Sequence, residues 1–287
     1  MTIPQIKCNR VVVVQILYIQ ENAMAKKSKR TIVGSPLTPT LLEELDALSN
    51  YPPSSEDFKP DGNWVNTYRI WTCHGYRESG NDNVGFLRIK RLINPQSSLT
   101  LKVHQEVLQT DALVNIVDAT IECRNNQLAS PIQWKISSRF RGSDGKYISE
   151  LNSNDNGAAA EGLDRSTGDW CLFEAVQRLK TGKETVLAFD MLEGLSLLKK
   201  GQHLSYRGLY PTKIGGENIL LHCFVQLGSG ILPCEYWLDD YHRLLVVASM
   251  NKAYILDEQA EKITHRIAEN EQKSYEKRRS SQRKQKR

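Results

Sequence analysis

Six histidines are the side chains that could act as general bases or metal ligands near neutral pH. They are His74, His104, His203, His222, His242 and His265. No two of them have the His-x-x-x-His spacing that places two imidazoles on one face of a helix. His222 lies inside an apolar run and is predicted to be a hydrogen-bonded sheet residue. His104 alternates with apolar residues and shares the solvent side of its strand with Thr100 and Lys102. The histidines thus predict neither a catalytic base nor a metal site.

Asp239 and Asp240 are adjacent carboxylates that directly follow an aromatic run. Aspartate is common after a strand because its carboxylate hydrogen-bonds the backbone of a turn. A metal ion would need further oxygen ligands, which the sequence does not place beside this pair. We therefore predict a turn here and no metal site.

The cysteines are scattered and contain no Cys-x-x-Cys pair, which argues against a zinc site. They are Cys8, Cys73, Cys123, Cys171, Cys223 and Cys234. Cys171 lies near the start of a predicted helix, where a thiolate is stabilised, but no histidine is placed to act as its base. We predict a buried helix cysteine. Two alternatives stay open for Cys223 and Cys234, a disulfide across neighbouring strands or free thiols in a β core, and we favour the free thiols.

Glycine-rich catalytic motifs are also absent from the sequence. Gly228-Ser229-Gly230 lacks the following lysine and helix of a phosphate-binding loop, and no Gly-x-Ser-x-Gly nucleophile elbow occurs. The sequence therefore predicts a protein that is not an enzyme and that carries no cofactor.

The side chains named above must be positioned by strands, because the hydrophobic period from Trp64 onward is two. Short apolar, β-branched and aromatic runs separated by polar turns indicate antiparallel strands with one wetted face. Five such runs are Trp64–Trp71, Val84–Ile93, Leu99–His104, Val114–Cys123 and Ile132–Ser137. The segment 141–168 has little apolar bulk and is predicted to be a long loop, either disordered or a flap.

A helix is predicted next, with Asp169 as its N-cap and Gly182 at its end. Thr185–Leu192 favours a strand, Leu195–Lys200 a turn of helix, and Leu204–Tyr210 a further strand.

The stretch from Glu217 to Asp257 predicts a meander of antiparallel strands. Its turns are expected at Gly228–Gly230, at Asp239–Asp240 and at Asn251, where the residue types favour reversal of the chain. Each apolar run between these turns is too short to be a buried helix.

The order of these elements resembles a known bacterial family. The chain is similar to a bacterial family of domains of unknown function in three features. These are five strands, a helix that begins with Asp169-Trp170-Cys171-Leu172-Phe173, and a closing strand, Glu235-Tyr236-Trp237-Leu238-Asp239-Asp240, that turns into Leu244-Leu245-Val246-Val247. That family resembles the lipoprotein carrier LolA. The resemblance implies a mainly β fold: a single curved antiparallel sheet, open as a half-barrel, with one or two short helices. It assigns no catalytic residues.

The same resemblance implies that apolar side chains line the concave face of the sheet. Large strand-borne aromatic residues are the candidates for contacting a lipid, an acyl chain or another hydrophobic ligand there: Trp71, Trp134, Phe224 and Trp237. The alternative is that these side chains fill the core and that the protein is a structural or adaptor protein.

Four segments organise the chain. Residues 1–25 are a candidate signal peptide or a misassigned start, residues 26–63 a linker with one short helix, residues 64–257 the β domain, and residues 258–287 a charged tail that passes from helix to disorder. Ala23-Met24-Ala25 has the form of a cleavage site, which would place the protein in the periplasm or cell envelope, and otherwise in the cytoplasm.

Positive charge is concentrated at the ends of the chain. The net charge is +5, but Lys273–Arg287 alone carries eight lysine and arginine residues, so the body is mildly acidic. This tail is a candidate contact for an acidic partner. No run approaches the roughly 20 apolar residues of a membrane-spanning helix. We expect a monomer.

Overall fold

Thirteen β-strands form one sheet in the part of the chain that this computed structural model describes. The described residues are 54–72, 82–95, 97–109, 113–141, 148–152, 165–182, 185–214, 217–249 and 252–285. In chain order the strands are β1 Trp64–Thr72, β2 Asp82–Ile93, β3 Ser98–Leu108, β4 Val114–Arg124, β5 Pro131–Arg141, β6 Ile148–Asn152, β7 Ser166–Gly168, β8 Val186–Glu193, β9 Leu197–Ile214, β10 Glu217–Leu227, β11 Cys234–Leu238, β12 Leu244–Ser249 and β13 Lys252–Leu256.

The sheet consists of two meanders joined where the first strand meets the last. The strand order is β6-β5-β4-β3-β2-β1-β13-β12-β11-β10-β9-β8-β7. β1 pairs with β13 in the register Tyr68↔Leu256. All neighbours are antiparallel except β7 and β8, which are parallel. The antiparallel order follows from short links between consecutive strands, which can only reverse the chain.

The two ends of the sheet curl toward each other. The Thr167 hydroxyl of β7 donates a hydrogen bond of 2.7 Å to the carbonyl of Leu128, in the turn between β4 and β5. The sheet is thus nearly closed and barrel-like, and the prediction of a mainly β fold built on one curved antiparallel sheet is confirmed.

Helix α1 (Asp169–Ala175) packs on the inner face of this sheet, and a 3-10 turn at Val176–Arg178 follows it. The Phe173 ring meets the rings of Tyr68 and Tyr254 edge-on, each at 5.3 Å between centroids. The helix is shorter than predicted, because the 3-10 turn that follows it ends at Arg178, before Gly182. Gly168 is its N-cap, and Asp169 is already the first helical residue.

A buried ion-pair cluster holds α1 in place. Arg91 of β2 and Glu174 of α1 are 1% and 0% exposed, and the Nε–Oε1 distance is 2.8 Å. Arg178 Nε donates to the same carboxylate oxygen at 2.6 Å. The Arg91 Nη1 group also donates to the carbonyls of Asp61 and Gly62. A buried charge is tolerated only when it is paired in this way.

Two segments differ from their sequence-based predictions between β5 and β9. The predicted loop over 141–168 contains β6 and β7. The predicted helical turn at Leu195–Lys200 is instead a tight turn followed by the start of β9. Gly194 and Leu195 both have positive φ, 55° and 54°, which suits a hairpin turn and not a helix. Leu195 is fully buried, so packing offsets its unusual conformation.

Helix α2 (Ala260–Gln285) docks on the outer face of β1–β3 through its first turns. Ala260 and Thr264 are buried, Arg88 pairs with Glu261 at 2.5 Å, and His265 Nε2 lies 3.2 Å from Glu106 Oε2. The charged tail predicted over 258–287 is helical as far as Gln285, and the disorder predicted at its end stays a prediction.

Some sequence-based predictions fall outside the described residues. These are the cleavage site at Ala23-Met24-Ala25, the linker helix at Thr40–Leu48, and Cys8, Cys73 and His74. No helix within the described ranges is both long and apolar enough to cross a membrane.

Replacing Arg91 with methionine should lower the free energy of unfolding by about 3–5 kcal/mol, because buried Glu174 then loses one of its two cationic partners. Arg88→Met is the matched control. Its pair with Glu261 is 40% and 37% exposed, so a loss below about 1 kcal/mol is expected. Urea denaturation of both variants measures the difference. Equal losses would show that burial of the Arg91 pair has no special role.

Candidate functional site

The four aromatic residues predicted to contact a ligand are all buried. Trp71 is 7% exposed, Trp134 4%, Phe224 0% and Trp237 3%. Their side chains belong to the packed core of the described residues. That they contact a ligand stays a prediction, and their burial is the outcome expected from the filled-core alternative.

These four residues also divide between the two faces of the sheet. Trp134 pairs with Ile121 and shares a face with Cys123, whose sulfur lies 3.8 Å from that of Cys171 in α1. It therefore points inward. Trp71 lies under the guanidinium of Arg69, which follows the inward-facing Tyr68. Because neighbours in a strand alternate, Trp71 points outward.

The same alternation separates Phe224 from Trp237. Phe224 pairs with Tyr236, so the two share the inner face and the next residue, Trp237, lies on the outer one. Trp237 packs edge-on against Tyr210 at 5.8 Å. Trp71 and Trp237 therefore point away from the concave face predicted for them.

The structure also gives the surroundings of the other histidines and cysteines considered in the sequence analysis. His104 Nδ1 lies 2.6 Å from Asp118 on the outer face, and the hydrogen bond with Glu106 raises its pKa. Burial raises the pKa of the Cys123 thiol, which sits beside Cys171. Cys223 and Cys234 are free thiols and do not face each other. Among the described residues no group of three or more potential ligands could hold a metal ion.

A two-stranded ribbon at one end of the sheet offers a more open surface. β10 pairs with β11 only from His222 to Gln226, and β9 pairs with β8 only as far as Ser205. The parts beyond, Arg207–Ile214 and Glu217–Leu221, pair only with each other in the described structure. We call this segment the β9–β10 ribbon.

The face of the ribbon that continues the inner face of the sheet carries exposed leucines. Leu209 pairs directly with His222, and Leu220 lies two residues before His222 on β10. All three therefore share the face of Phe224. Leu209 is 43% and Leu220 48% exposed, whereas Phe224 is 0% exposed. The inner apolar surface thus passes from a packed core to an open end.

Four polar residues lie where the open surface meets the core: Tyr206, His222, Asp240 and His242. Tyr206 Oη is 2.9 Å from His222 Nδ1, and His222 Nε2 is 3.5 Å from Asp240 Oδ1. The rings of His222 and His242 are 5.8 Å apart. We call these four residues the rim cluster.

The electrostatics of the rim cluster favour a neutral His222 beside a carboxylate. Burial, together with nearby His242, lowers the His222 pKa below its ordinary value. Asp240 is 71% exposed at its side chain. Asp239, in contrast, uses its carboxylate to accept hydrogen bonds from the N–H groups of Tyr241 and Arg243, and burial raises its pKa. The predicted Asp239–Asp240 turn is confirmed by these bonds.

Comparison with known proteins gave the following result. No family profile matches the chain, and no curated protein does. The crystal structure of a beta-barrel-like protein of the domain of unknown function DUF1849 from Brucella abortus is similar with a TM-score of 0.38 and 6% identity. The match covers 68% of this chain and 96% of that one.

Sequence reasoning missed Leu209, Leu220 and Tyr206 as surface residues of a site. The alternating pattern around Leu204–Tyr210 predicted a strand there, but it could not show that this strand extends beyond the end of β8. His222 and Asp240 were both noticed, as a sheet residue and a turn residue, and only the sheet brings them together.

Asp169 is a buried carboxylate with a separate role. Both of its oxygens accept the N–H of Gly194, at 2.9 and 3.0 Å, which ties α1 to the turn between β8 and β9. Burial raises the Asp169 pKa from 3.8 to about 6. The folded state therefore favours the protonated form of this group.

Asp169→Asn should make stability less dependent on pH. Since the folded pKa is raised, Asp169 costs stability as pH rises from about 4 to about 6, and the cost remains above that range. Asparagine keeps an acceptor for Gly194 without the charge. The free energy of unfolding of this variant should exceed that of the wild type by up to about 3 kcal/mol at pH 7.5 and should not exceed it at pH 3.5.

Asp190→Asn is the control for this change, because Asp190 also accepts a glycine N–H, that of Gly201, where the register of β8 and β9 shifts. Urea unfolding from pH 3.5 to 8 should show the pH-dependent gain only for Asp169→Asn. A loss of stability at every pH would contradict the argument.

Proposed function

We propose that the protein is a non-catalytic module that binds an apolar ligand, such as an acyl chain, on the inner face of the β9–β10 ribbon. The observation that carries this proposal is the exposure of Leu209 and Leu220 on a face that is otherwise packed. Neighbouring exposed apolar residues on a concave surface are a common feature of ligand sites.

The ligand is expected to extend from the ribbon toward the core. Leu209 and Leu220 are open, Tyr206 is half-buried, and Phe224 closes the path, since Tyr206 and Phe224 pack ring against ring at 5.2 Å. Each methylene removed from water contributes about 0.8 kcal/mol, so a chain of moderate length reaches micromolar affinity without a strong polar contact.

The sequence resembles a family of domains that is similar to the lipoprotein carrier LolA, and this resemblance favours the same class of ligand. In those carriers an acyl chain lies on the concave side of a curved sheet. Here α1 occupies the middle of that side, with Phe173 against Tyr68 and Tyr254. The proposal therefore places the ligand at the end of the sheet, beside the ribbon.

Replacing both Leu209 and Leu220 with serine should abolish enhancement of a fluorescent fatty-acid probe and leave the melting temperature nearly unchanged. Both side chains are more than 40% exposed, so their loss removes ligand contacts and little packing. A Val186→Ser, Leu197→Ser variant is the matched control, because these residues are 62% and 56% exposed on β8 and β9 outside the ribbon. Equal probe binding by all three proteins would contradict the proposed site.

A second candidate function is an adaptor that contacts an acidic partner through the end of α2. The first turns of this helix are docked, whereas Lys273, Lys277, Arg278 and Arg279 are exposed. Clustered positive charges at the end of an exposed helix attract an acidic partner.

Deleting Lys273–Arg287 should leave the melting temperature nearly unchanged, because the buried contacts of α2 lie at Ala260 and Thr264. If this candidate function is correct, the truncated protein also loses salt-dependent retention on an anionic column. Deleting the helix from Ala260 instead should destabilise the protein. A fall of several degrees on removing only Lys273–Arg287 would show that the end of the helix docks on the body.

A further inference from the structure

We propose that the ligand of the ribbon carries an ammonium head, which the rim cluster holds while the alkyl chain lies on Leu209 and Leu220. The ligand class is a single-chain amphiphile with a primary or quaternary ammonium. This inference rests on the proposed function, because it assigns the head of a ligand whose chain binds the ribbon.

Three rings of the rim cluster lie next to one another at the end of the core. Tyr206 and His222 have centroids 5.9 Å apart with 42° between their planes, and His222 and His242 have centroids 5.8 Å apart at 40°. A cation within about 6 Å of the face of a tyrosine ring is attracted to it, so Tyr206 is the ring of this cluster that is suited to contacting an ammonium group. Electron-rich faces around an ammonium group are the usual means by which proteins recognise such ligands.

The backbone conformation of the turn holds His242 in its position in the rim cluster. His242 has a positive φ of 61°, and its N–H donates to the Asp239 carbonyl at 2.9 Å. A left-handed conformation is uncommon for histidine, and this hydrogen bond, with those of the Asp239 carboxylate, holds it.

Asp240 supplies the negative charge. Its carboxylate is 71% exposed and reaches only the edge of His222, at 3.5 Å. It is therefore accessible to a ligand. Asp239 is not equivalent, because Tyr241 and Arg243 donate their N–H groups to its carboxylate.

The register of the sheet brings the charge to the apolar surface. His222 pairs with Leu238 in the antiparallel β10–β11 ladder. The ladder ends there, and the His222 Nε2 atom lies 3.5 Å from the Asp240 carboxylate, while Leu220 is two residues before His222 on the same face of β10. An amphiphile whose chain covers Leu220 thus has its head within reach of the Asp240 carboxylate.

The two arginines nearby do not neutralise the Asp240 carboxylate on the inner face. Arg243 is 7% exposed and is engaged by Asn66, the Ser54 carbonyl and the Phe58 ring. Arg207 lies near Cys223, on the opposite face from Phe224. A carboxylate head would therefore meet Asp240 without a free described cation beside it, whereas an ammonium head is attracted.

The test compares three probes of equal chain length, below their micellar concentrations: dodecyltrimethylammonium, dodecanol and dodecanoate. Each displaces a neutral fluorescent probe, N-phenyl-1-naphthylamine, from the full chain. We expect the ammonium probe to bind roughly three- to tenfold more tightly than dodecanol, and dodecanoate to bind most weakly.

Asp240→Asn should remove most of the ammonium preference and leave dodecanol binding unchanged. Tyr206→Leu should reduce the preference while keeping apolar bulk beside Phe224. Glu271→Gln, an exposed carboxylate of α2, removes the same charge at a distance and should change nothing.

The outcomes separate the two proposals. Displacement by all three probes with equal affinity, or a preference that Asp240→Asn does not alter, overturns the ammonium inference and leaves the apolar site standing. Failure of every probe to bind overturns the proposed function itself. Circular dichroism of Asp240→Asn confirms the fold, which an exposed turn residue is not expected to affect.

Discussion

The buried carboxylate of Glu174 is the constraint on which the interior of this protein depends. It lies on α1 with no exposure to water and is neutralised by Arg91 from β2 and by Arg178 from the turn after α1. Since an unpaired buried charge is strongly unfavourable, the helix can occupy only the position in which both guanidinium groups reach it. The pairing therefore sets the orientation of α1 and, through it, which apolar side chains meet the sheet.

Hydrogen bonds at Gln177 continue this constraint across the sheet. Its side-chain oxygen accepts the N–H of Leu244 at 3.0 Å and the amide of Asn66 at 3.3 Å, so β1, β12 and the segment after α1 are joined inside the core. Arg243 donates to the same Asn66. The turn that carries Asp240 and His242 is thus attached to the interior of the sheet, and the rim cluster inherits a defined position.

The open surface arises from unequal strand lengths. β9 and β10 extend past the ends of β8 and β11, so Leu209 and Leu220 keep the inward orientation of core residues without neighbours to cover them. A strand pattern that would ordinarily bury these leucines instead exposes them. This makes the ribbon a ligand surface in our proposal, with the apolar character of a core and the accessibility of a loop.

Prediction from sequence succeeded where the relevant interactions are local. The alternation of Trp64–Trp71 and of Leu99–His104 predicted β1 and β3, and the Asp239 turn followed from its own side-chain hydrogen bonds. It failed at Leu195–Lys200, where leucines at helical spacing suggested a helix. Pairing of Leu198 with Leu192 and the positive φ of Leu195 produce a hairpin there, because tertiary packing overrides a short periodic signal.

The amino-acid sequence by itself determined that the protein is mainly β and antiparallel, since a hydrophobic period of two over short runs separated by polar turns indicates such strands. That the strands form one curved sheet was implied only by the resemblance to a known family. It could not determine which face each aromatic residue occupies. Trp71 and Trp237 were expected on the concave side, but the face of a strand residue depends on register and on the position of α1, which are properties of the whole sheet. The same is true of the rim cluster. Tyr206, His222 and Asp240 come from three separate segments, and only the pairing of β9, β10 and β11 brings the Tyr206 hydroxyl to 2.9 Å and the Asp240 carboxylate to 3.5 Å from the His222 ring nitrogens.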